Sequence, residues 1–492
     1  MTDIGAGTRA ATTAGAGVAA AVAAGTGIGV GPYAELTFDA AGQVDPVTQG
    51  AVARMEATDL LVFAHGWNSD RSTATRLYSR FFAPFPGLVG PGTRLGYVGV
   101  VWPSMRFPDE PVPDFGPRGV HSPHGVLAEP GSGAALDPAT RQALGAYWPG
   151  REAELDRVAA LLARRPESAA AFLEFGALVR RLAGVDTTAT DGTPTGPAPA
   201  DAPAPADAPA PADAPAPADA PASAAVPAIL TEDVLEVCRD LTVALAETGA
   251  LEPGPGVPEP GSGARGFTAS GPSRTLWNGA KELLRQAAYY QMKQRAGVIG
   301  RSGLGPVLAE LARRRPALRV HLIGHSFGAR VVSFSLGAVP EGARYVKSVT
   351  LLQGAFSHYA FTDRLPYDTD RGGALRGLER KADGPVVACH SAYDTALRVL
   401  YPLASRMAGD SAGLLGSDER WGAIGHDGVR AVPGTPRLTL DAALREGLPE
   451  RGCVSVDAGS VVRRGGPPSG AHSDICHEEL ARLVVAAGRM GG

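Results

Sequence analysis

Short apolar runs alternate with amphipathic stretches at both ends of the chain, and the alternation fails in the middle. Residues 59–64 (DLLVFA) and 95–102 (LGYVGVVW) are nearly unbroken apolar runs, the pattern of strands buried on both faces. Residues 70–84 between them carry helical spacing. The same rhythm returns after residue 275. Residues 318–324 (LRVHLIG), 347–353 (KSVTLLQ), 385–389 (PVVAC) and 453–462 (CVSVDAGSVV) predict further strands. Helical patterns occupy 276–315, 327–337, 393–407 and 474–488, and Leu284, Ala288 and Met292 share one face. Residues 32–45 alternate apolar and polar around Ala41-Gly42 and predict a small hairpin. Strands alternating with helices imply an α/β fold, a mostly parallel central sheet with helices on both faces.

The middle, 104–275, breaks this pattern. Residues 108–135 are rich in Pro and Gly, 139–183 and 230–248 look helical, and 186–227 are of low complexity. In that last segment Asp201, Asp207, Asp213 and Asp219 recur six residues apart, the first three opening DAPAPA units. Proline at this density forbids helix and sheet and favours an extended, disordered spacer. The expected organisation is a flexible leader over 1–31, a core made of 32–103 and 276–492, and an insertion over 104–275 with helical pieces that could form a cap.

Composition narrows the function classes. The net charge of −4 provides no basic field for nucleic acid or anionic lipid. No apolar run is long enough to span a bilayer. Residues 14–30 are Ala- and Gly-rich, without the basic start and Leu-rich centre of a secretory signal, so a cytoplasmic protein is expected, with secretion the alternative. Cys238, Cys389, Cys453 and Cys476 show neither metal-ligand spacing nor a disulfide framework, and are read as reduced. No HExxH motif, Walker motif or dinucleotide fingerprint stands out, so neither metal nor cofactor is expected.

One motif carries chemistry. Gly324-His325-Ser326-Phe327-Gly328 has the GxSxG spelling, with an apolar strand running into it and a helix after it. A serine on so sharp a turn projects its Oγ alone, and side chains at 324 and 328 would crowd the turn. A second match, Gly409-Asp410-Ser411-Ala412-Gly413, follows a helix rather than a strand and leaves little room for later partners. Ser326 is therefore the candidate nucleophile, and Ser411 reads as a helix end and turn.

The partners of such a serine follow in the order acid, then histidine. Asp394 stands in the loop after strand 385–389 and is the candidate acid, its bland alternative being a helix cap. Asp363 is the runner-up, and Asp383 precedes its strand and would lie at the wrong sheet edge. His472 stands on a loop after the last strand and is the candidate base, with Ser473 or Asp474 as a cap for the following helix. His477, expected within that helix, and His426, on an earlier loop, are weaker rivals. His65-Gly66-Trp67-Asn68 ends strand 59–64, and the amides of Trp67 and Phe327 are the candidate oxyanion donors, with Gly66 and a bracing His65 supporting the loop. Trp67, Trp102, Phe327, Phe356 and Tyr393 are aromatic residues near these positions that suggest an apolar acyl pocket, although such residues are more often simply core.

Together the HG-x loop at 65–67, the elbow at 324–328, Asp394 and His472 resemble the α/β-hydrolase superfamily, over about 32–104 and 276–488. The Ala- and Gly-rich chain is similar to esterase- and lipase-like serine hydrolases of actinobacteria. The resemblance implies hydrolysis of a small-molecule ester or thioester through an acyl-enzyme. The alternatives are a non-catalytic binding or scaffold protein on the same fold, or C–C hydrolase or haloperoxidase-like chemistry on the same three residues.

Overall fold

Among the described residues eight strands, all parallel, form one sheet in the order β1-β3-β2-β4-β5-β6-β8-β7. The strands are β1 (Tyr33–Thr37), β2 (Asp59–Ala64), β3 (Leu95–Val101), β4 (Arg319–His325), β5 (Val346–Leu352), β6 (Pro385–His390), β7 (Arg437–Thr439) and β8 (Gly452–Asp457). The computed structural model describes residues 28–108, 133–185, 228–251, 273–408 and 419–491. The low-complexity stretch 186–227, Ser411 and most of the expected leader lie outside the described residues. Residues 28–31 of that leader are described, and they are anchored: Ile28 is buried and its carbonyl accepts from Ser79 Oγ at 3.1 Å.

The pleat divides the apolar runs between two cores. In β2, Leu60, Val62 and Ala64 face one side of the sheet while Leu61 and Phe63 face the other. The first core is covered by the helix Phe327–Ser335 and the long helix Leu276–Val298. The second is covered by the helices Arg71–Phe82 and Glu478–Gly488. This places helices on both faces of a parallel sheet, an α/β architecture.

The described helices of the insertion share the first core. Helices Pro138–Tyr147, Glu152–Arg164, Ala169–Leu182 and Val234–Glu247 bury their apolar faces in the same continuous cluster as β2, β3 and β4. Trp277 is the centre of that packing. Its ring stacks on Phe172 at 4.3 Å and meets Phe175 edge-on at 5.6 Å, and its Nε1 donates to Pro166 O at 3.1 Å.

Several expectations are corrected. The hairpin at 32–45 reduces to one antiparallel bridge between Phe38 and Val44, because Tyr33–Thr37 pairs in parallel with β3 and buries Tyr33 and Leu36 there. The strand expected over 453–462 ends at Asp457, whose Oδ1 accepts the amide of Gly459 at 2.9 Å in a turn. The last helix begins at Glu478, not 474. Helix Pro46–Ala53, with Asp45 accepting the Val47 amide at 2.9 Å, was not signalled by periodicity, nor was the edge strand β7. No helix among the described residues is long and apolar enough to cross a membrane.

The topology creates a crevice. From β2 the chain passes to β3 on one side, and β4 returns on the other side of β2. The helix after β2 covers the second core and the helix after β4 covers the first. The loops leaving β2 and β4 therefore part to opposite faces beyond the carboxyl ends of the strands, the general position of ligand sites in open α/β sheets.

Candidate active site

The elbow is built by sterics. Strand β4 ends at His325, and Ser326 takes φ 54° and ψ −120° before the helix Phe327–Ser335 begins. A non-glycine residue with positive φ is strained and persists only where its surroundings hold it. Here Ser326 N donates to Leu352 O at 3.1 Å, and Ser326 O accepts from Ala329 N at 3.1 Å and Ala355 N at 3.2 Å. A Cβ at position 324 would stand 2.4 Å from Gly328 O, and one at 328 would stand 1.9 Å from Ala64 O. Only glycine fits at either position.

Three side chains converge at this turn. Ser326 Oγ lies 2.9 Å from His472 Nε2, and His472 Nδ1 lies 2.8 Å from Asp394 Oδ2. A carboxylate only accepts, so Nδ1 carries the imidazole proton and Nε2 accepts from the serine hydroxyl. All three are nearly buried, at 1 %, 7 % and 0 % exposure for Ser326, His472 and Asp394. Asp394 serves two partners: its Oδ1 accepts the Leu397 amide at 3.0 Å, as a helix cap does, while Oδ2 faces the imidazole.

The loops carrying Asp394 and His472 are laced together. Ala471 N donates to Tyr393 O at 2.9 Å, Ala396 N donates to Ser469 O at 3.3 Å, and Asp394 bridges Gly470. Gly470 has φ +59°, and a Cβ there would stand 2.3 Å from Thr395 Oγ1. The His472 loop is thus packed and hydrogen-bonded directly onto the Asp394 loop.

The His65–Asn68 loop lies alongside. A Cβ at Gly66 would come within 2.7 Å of Ser326 Cβ, so the missing side chain lets this loop reach the serine. His65 Nδ1 is 2.8 Å from Gly66 O, its ring stacks on Trp102, and Trp102 Nε1 donates to His65 O at 3.0 Å. His65 N donates to Tyr78 OH at 3.1 Å. Burial pushes the His65 imidazole down to about 4, so it is a neutral brace. Asn68 Oδ1 accepts from Phe107 N at 2.6 Å and holds the far end of the loop. Phe327 opens its helix, where an amide has no partner within the helix. The Trp67 ring packs edge-on against Phe327, Tyr289 and Phe107, forming an aromatic wall beside the serine.

The rival residues lie elsewhere. Asp363 is exposed and faces Arg380 at 3.7 Å. Asp383 stands before β6 and pairs with Lys347 at 2.7 Å. His426 Nδ1 lies 3.3 Å from Ser391 O, within a short helical turn. His477 precedes its helix instead of lying inside it, and its Nε2 is 2.8 Å from Asp474 Oδ1. Asp474 does not cap that helix, since its Oδ2 accepts the amides of Arg463 and Arg464 at 3.0 and 2.8 Å. Of the remaining aromatics, Phe356 is core, Trp102 is the partner of His65 and Tyr393 is 55 % exposed. The four cysteines are unpaired. No group of three or more His, Cys, Asp or Glu side chains among the described residues is placed to hold a metal ion.

Two features escaped the reading of the sequence. His325, the variable position of the elbow motif, points its Nε2 at His472 O at 2.8 Å. A second Ser-His-Asp set also exists at the opposite end of the strands. Ser348 Oγ is 3.0 Å from His321 Nδ1, and His321 Nε2 is 3.0 Å from Asp59 Oδ1. The only sequence signal for the latter is a polar residue early in each of three apolar strands.

No protein-family model, curated protein or solved structure matches this chain.

Proposed function

We propose that the protein is a serine hydrolase of the α/β-hydrolase type, cleaving a carboxylester or thioester through an acyl-enzyme. The observation that carries the reading is the continuous Ser326–His472–Asp394 relay, 2.9 and 2.8 Å at its two links, with the serine on a strained turn. A protein that merely binds has no need of a serine held at positive φ. In the proposed mechanism, Ser326 Oγ attacks the acyl carbon while His472 Nε2 takes its proton and then returns it to the leaving group. Asp394 holds the Nδ1–H tautomer and stabilises the imidazolium that forms. The Trp67 and Phe327 amides receive the oxyanion, each donor lowering the barrier by about 3 kcal/mol. Water then repeats the sequence on the acyl-enzyme and frees the acid. The apolar wall of Trp67, Tyr289 and Phe107 favours an apolar acyl group over a charged one.

The test is labelling with a fluorophosphonate probe and identification of the modified peptide, followed by an ester series of rising chain length. Modification at Ser326 with ester turnover supports the reading. A folded protein that is neither labelled nor active on any ester or thioester overturns it in favour of a binding role.

A further inference from the structure

We infer that His325 is a positioning residue that ties the catalytic histidine's backbone to the nucleophile elbow. The inference rests on the hydrolase reading above. His325 Nε2 lies 2.8 Å from the carbonyl oxygen of His472. A carbonyl only accepts, so His325 donates through Nε2 and is the Nε2–H tautomer. Its ring centroid is 5.0 Å from that of His472. Its other edge faces the oxyanion loop, where a Cβ on Gly66 would come within 3.3 Å of His325 Nδ1. One side chain, adjacent to the nucleophile in sequence, therefore spans the space between the loop that brings the base and the loop that brings the oxyanion amides.

The chemistry asks for such a tether. His472 sits on a loop, 146 residues from Ser326 in sequence. Its ring is oriented by Asp394 at Nδ1, but an orienting bond on the ring leaves the backbone to be held separately. The lacing between the 393–396 and 469–471 segments ties the base to the acid. The bond from His325 ties the peptide of the base itself to the elbow. A tether beside a group that gains and loses a proton must not titrate with it. Burial, and then the neighbouring His472 ring, push His325 down to about 3, so it stays neutral while His472 turns over.

The variants that test this are His325→Leu, which removes the donor, and His325→Gln, whose terminal amide places an N–H at the same distance along the side chain. Loss of one hydrogen bond of ordinary strength corresponds to about a tenfold effect. His325→Leu is expected to lower kcat and the rate of fluorophosphonate labelling together by about that factor, with KM nearly unchanged. His325→Gln should recover most of both. Nitrogen-15 spectra of imidazole-labelled protein should show His325 as an Nε2–H tautomer that does not titrate between about pH 5 and 9. Wild-type kcat in His325→Leu, equal losses in both variants, or an Nδ1–H tautomer would each overturn the inference. Failure of the hydrolase reading is seen separately, as absence of labelling in the wild-type protein, and the tautomer measurement still decides whether the tether exists.

Discussion

Among the described residues two Ser-His-Asp relays sit on one sheet, and they differ in the geometry that a reaction centre needs. Ser326, His472 and Asp394 lie beyond the carboxyl ends of the strands, and Ser348, His321 and Asp59 lie near their amino ends. The spacings are alike, 2.9 and 2.8 Å against 3.0 and 3.0 Å. The ring nitrogens are exchanged: the first relay presents Nε2 to its serine and the second presents Nδ1. The settings differ more. Ser326 stands at φ 54° before a helix, whereas Ser348 is a ladder residue of β5 opposite His321 in β4. His472 keeps 9 % of its side chain exposed, and His321 keeps none. The second relay is also closed from above by the C-terminal helix. A Cβ on Gly488 would stand 2.4 Å from His321 Nδ1, and Arg319 Nη2 donates to Gly488 O at 2.6 Å. Three residue types at hydrogen-bond distance therefore do not define a catalytic site. A nucleophile needs a strained turn and contact with substrate, whereas Ser348 is a regular ladder residue and the His321 side chain is fully buried. It is a clasp that joins β2, β4, β5 and the last helix.

The sharpest test of this contrast is at the two serines and their neighbours. Ser326→Ala should lower turnover by about 10⁴-fold or more and abolish probe labelling, with the melting temperature preserved. Gly66→Ala places a methyl group against Ser326 Cβ and displaces the oxyanion loop, so kcat should fall by about 10²-fold. His321→Leu should act the other way round. It removes a buried hydrogen bond to the Asp59 carboxylate and should cost about 2 kcal/mol in urea unfolding, while kcat per folded molecule holds. Ser348→Ala should be smallest, about 1 kcal/mol of stability and no change in turnover. A Ser348→Ala protein that folds but has lost activity would break the contrast.

Buried imidazoles also set a pH dependence. Burial pulls His65 and His390 down to about 4 and His325 down to about 3, from an ordinary value of 6.5. The unfolded chain therefore binds more protons than the folded one between those values, and stability rises with pH across that window. Stability should be full above about pH 6.5 and fall steadily toward pH 4. Below that, Asp59 adds to the loss. Burial raises its carboxyl, but the hydrogen bonds from His321 and Thr58 together with the electrostatics of His321 and Arg319 hold it below the usual range, so its contribution is lost last as the pH falls. Urea unfolding at a series of pH values measures this, and a flat profile between pH 7 and 4.5 would show that these histidines accept protons without cost.

Much of this molecule is written locally. The apolar runs at 59–64, 95–101 and 319–325 are strands because nothing but a doubly covered sheet can bury them, and β2 has the limits its run of residues predicts. GHSFG reads as an elbow because a strand enters it and a helix leaves it, and the close approaches at Gly324 and Gly328 are the steric reason for the spelling. The chain order of Ser326, Asp394 and His472 is likewise visible in the sequence, as three loop positions that each follow a strand. Tertiary structure decided the rest. Asp394 faces the imidazole and Asp363 does not because the 393–396 segment is bonded to the 469–471 segment, a pairing across more than seventy residues. The helices of 138–247 join the first core because Trp277 offers them a surface that no local pattern announces. The bond from His325 to His472 and the clasp of Asp59, His321 and Ser348 depend on strand register between distant segments. Local chemistry specifies the strands and the turn. Which side chains meet across the sheet follows from how those strands are ordered, and that order is a property of the whole fold.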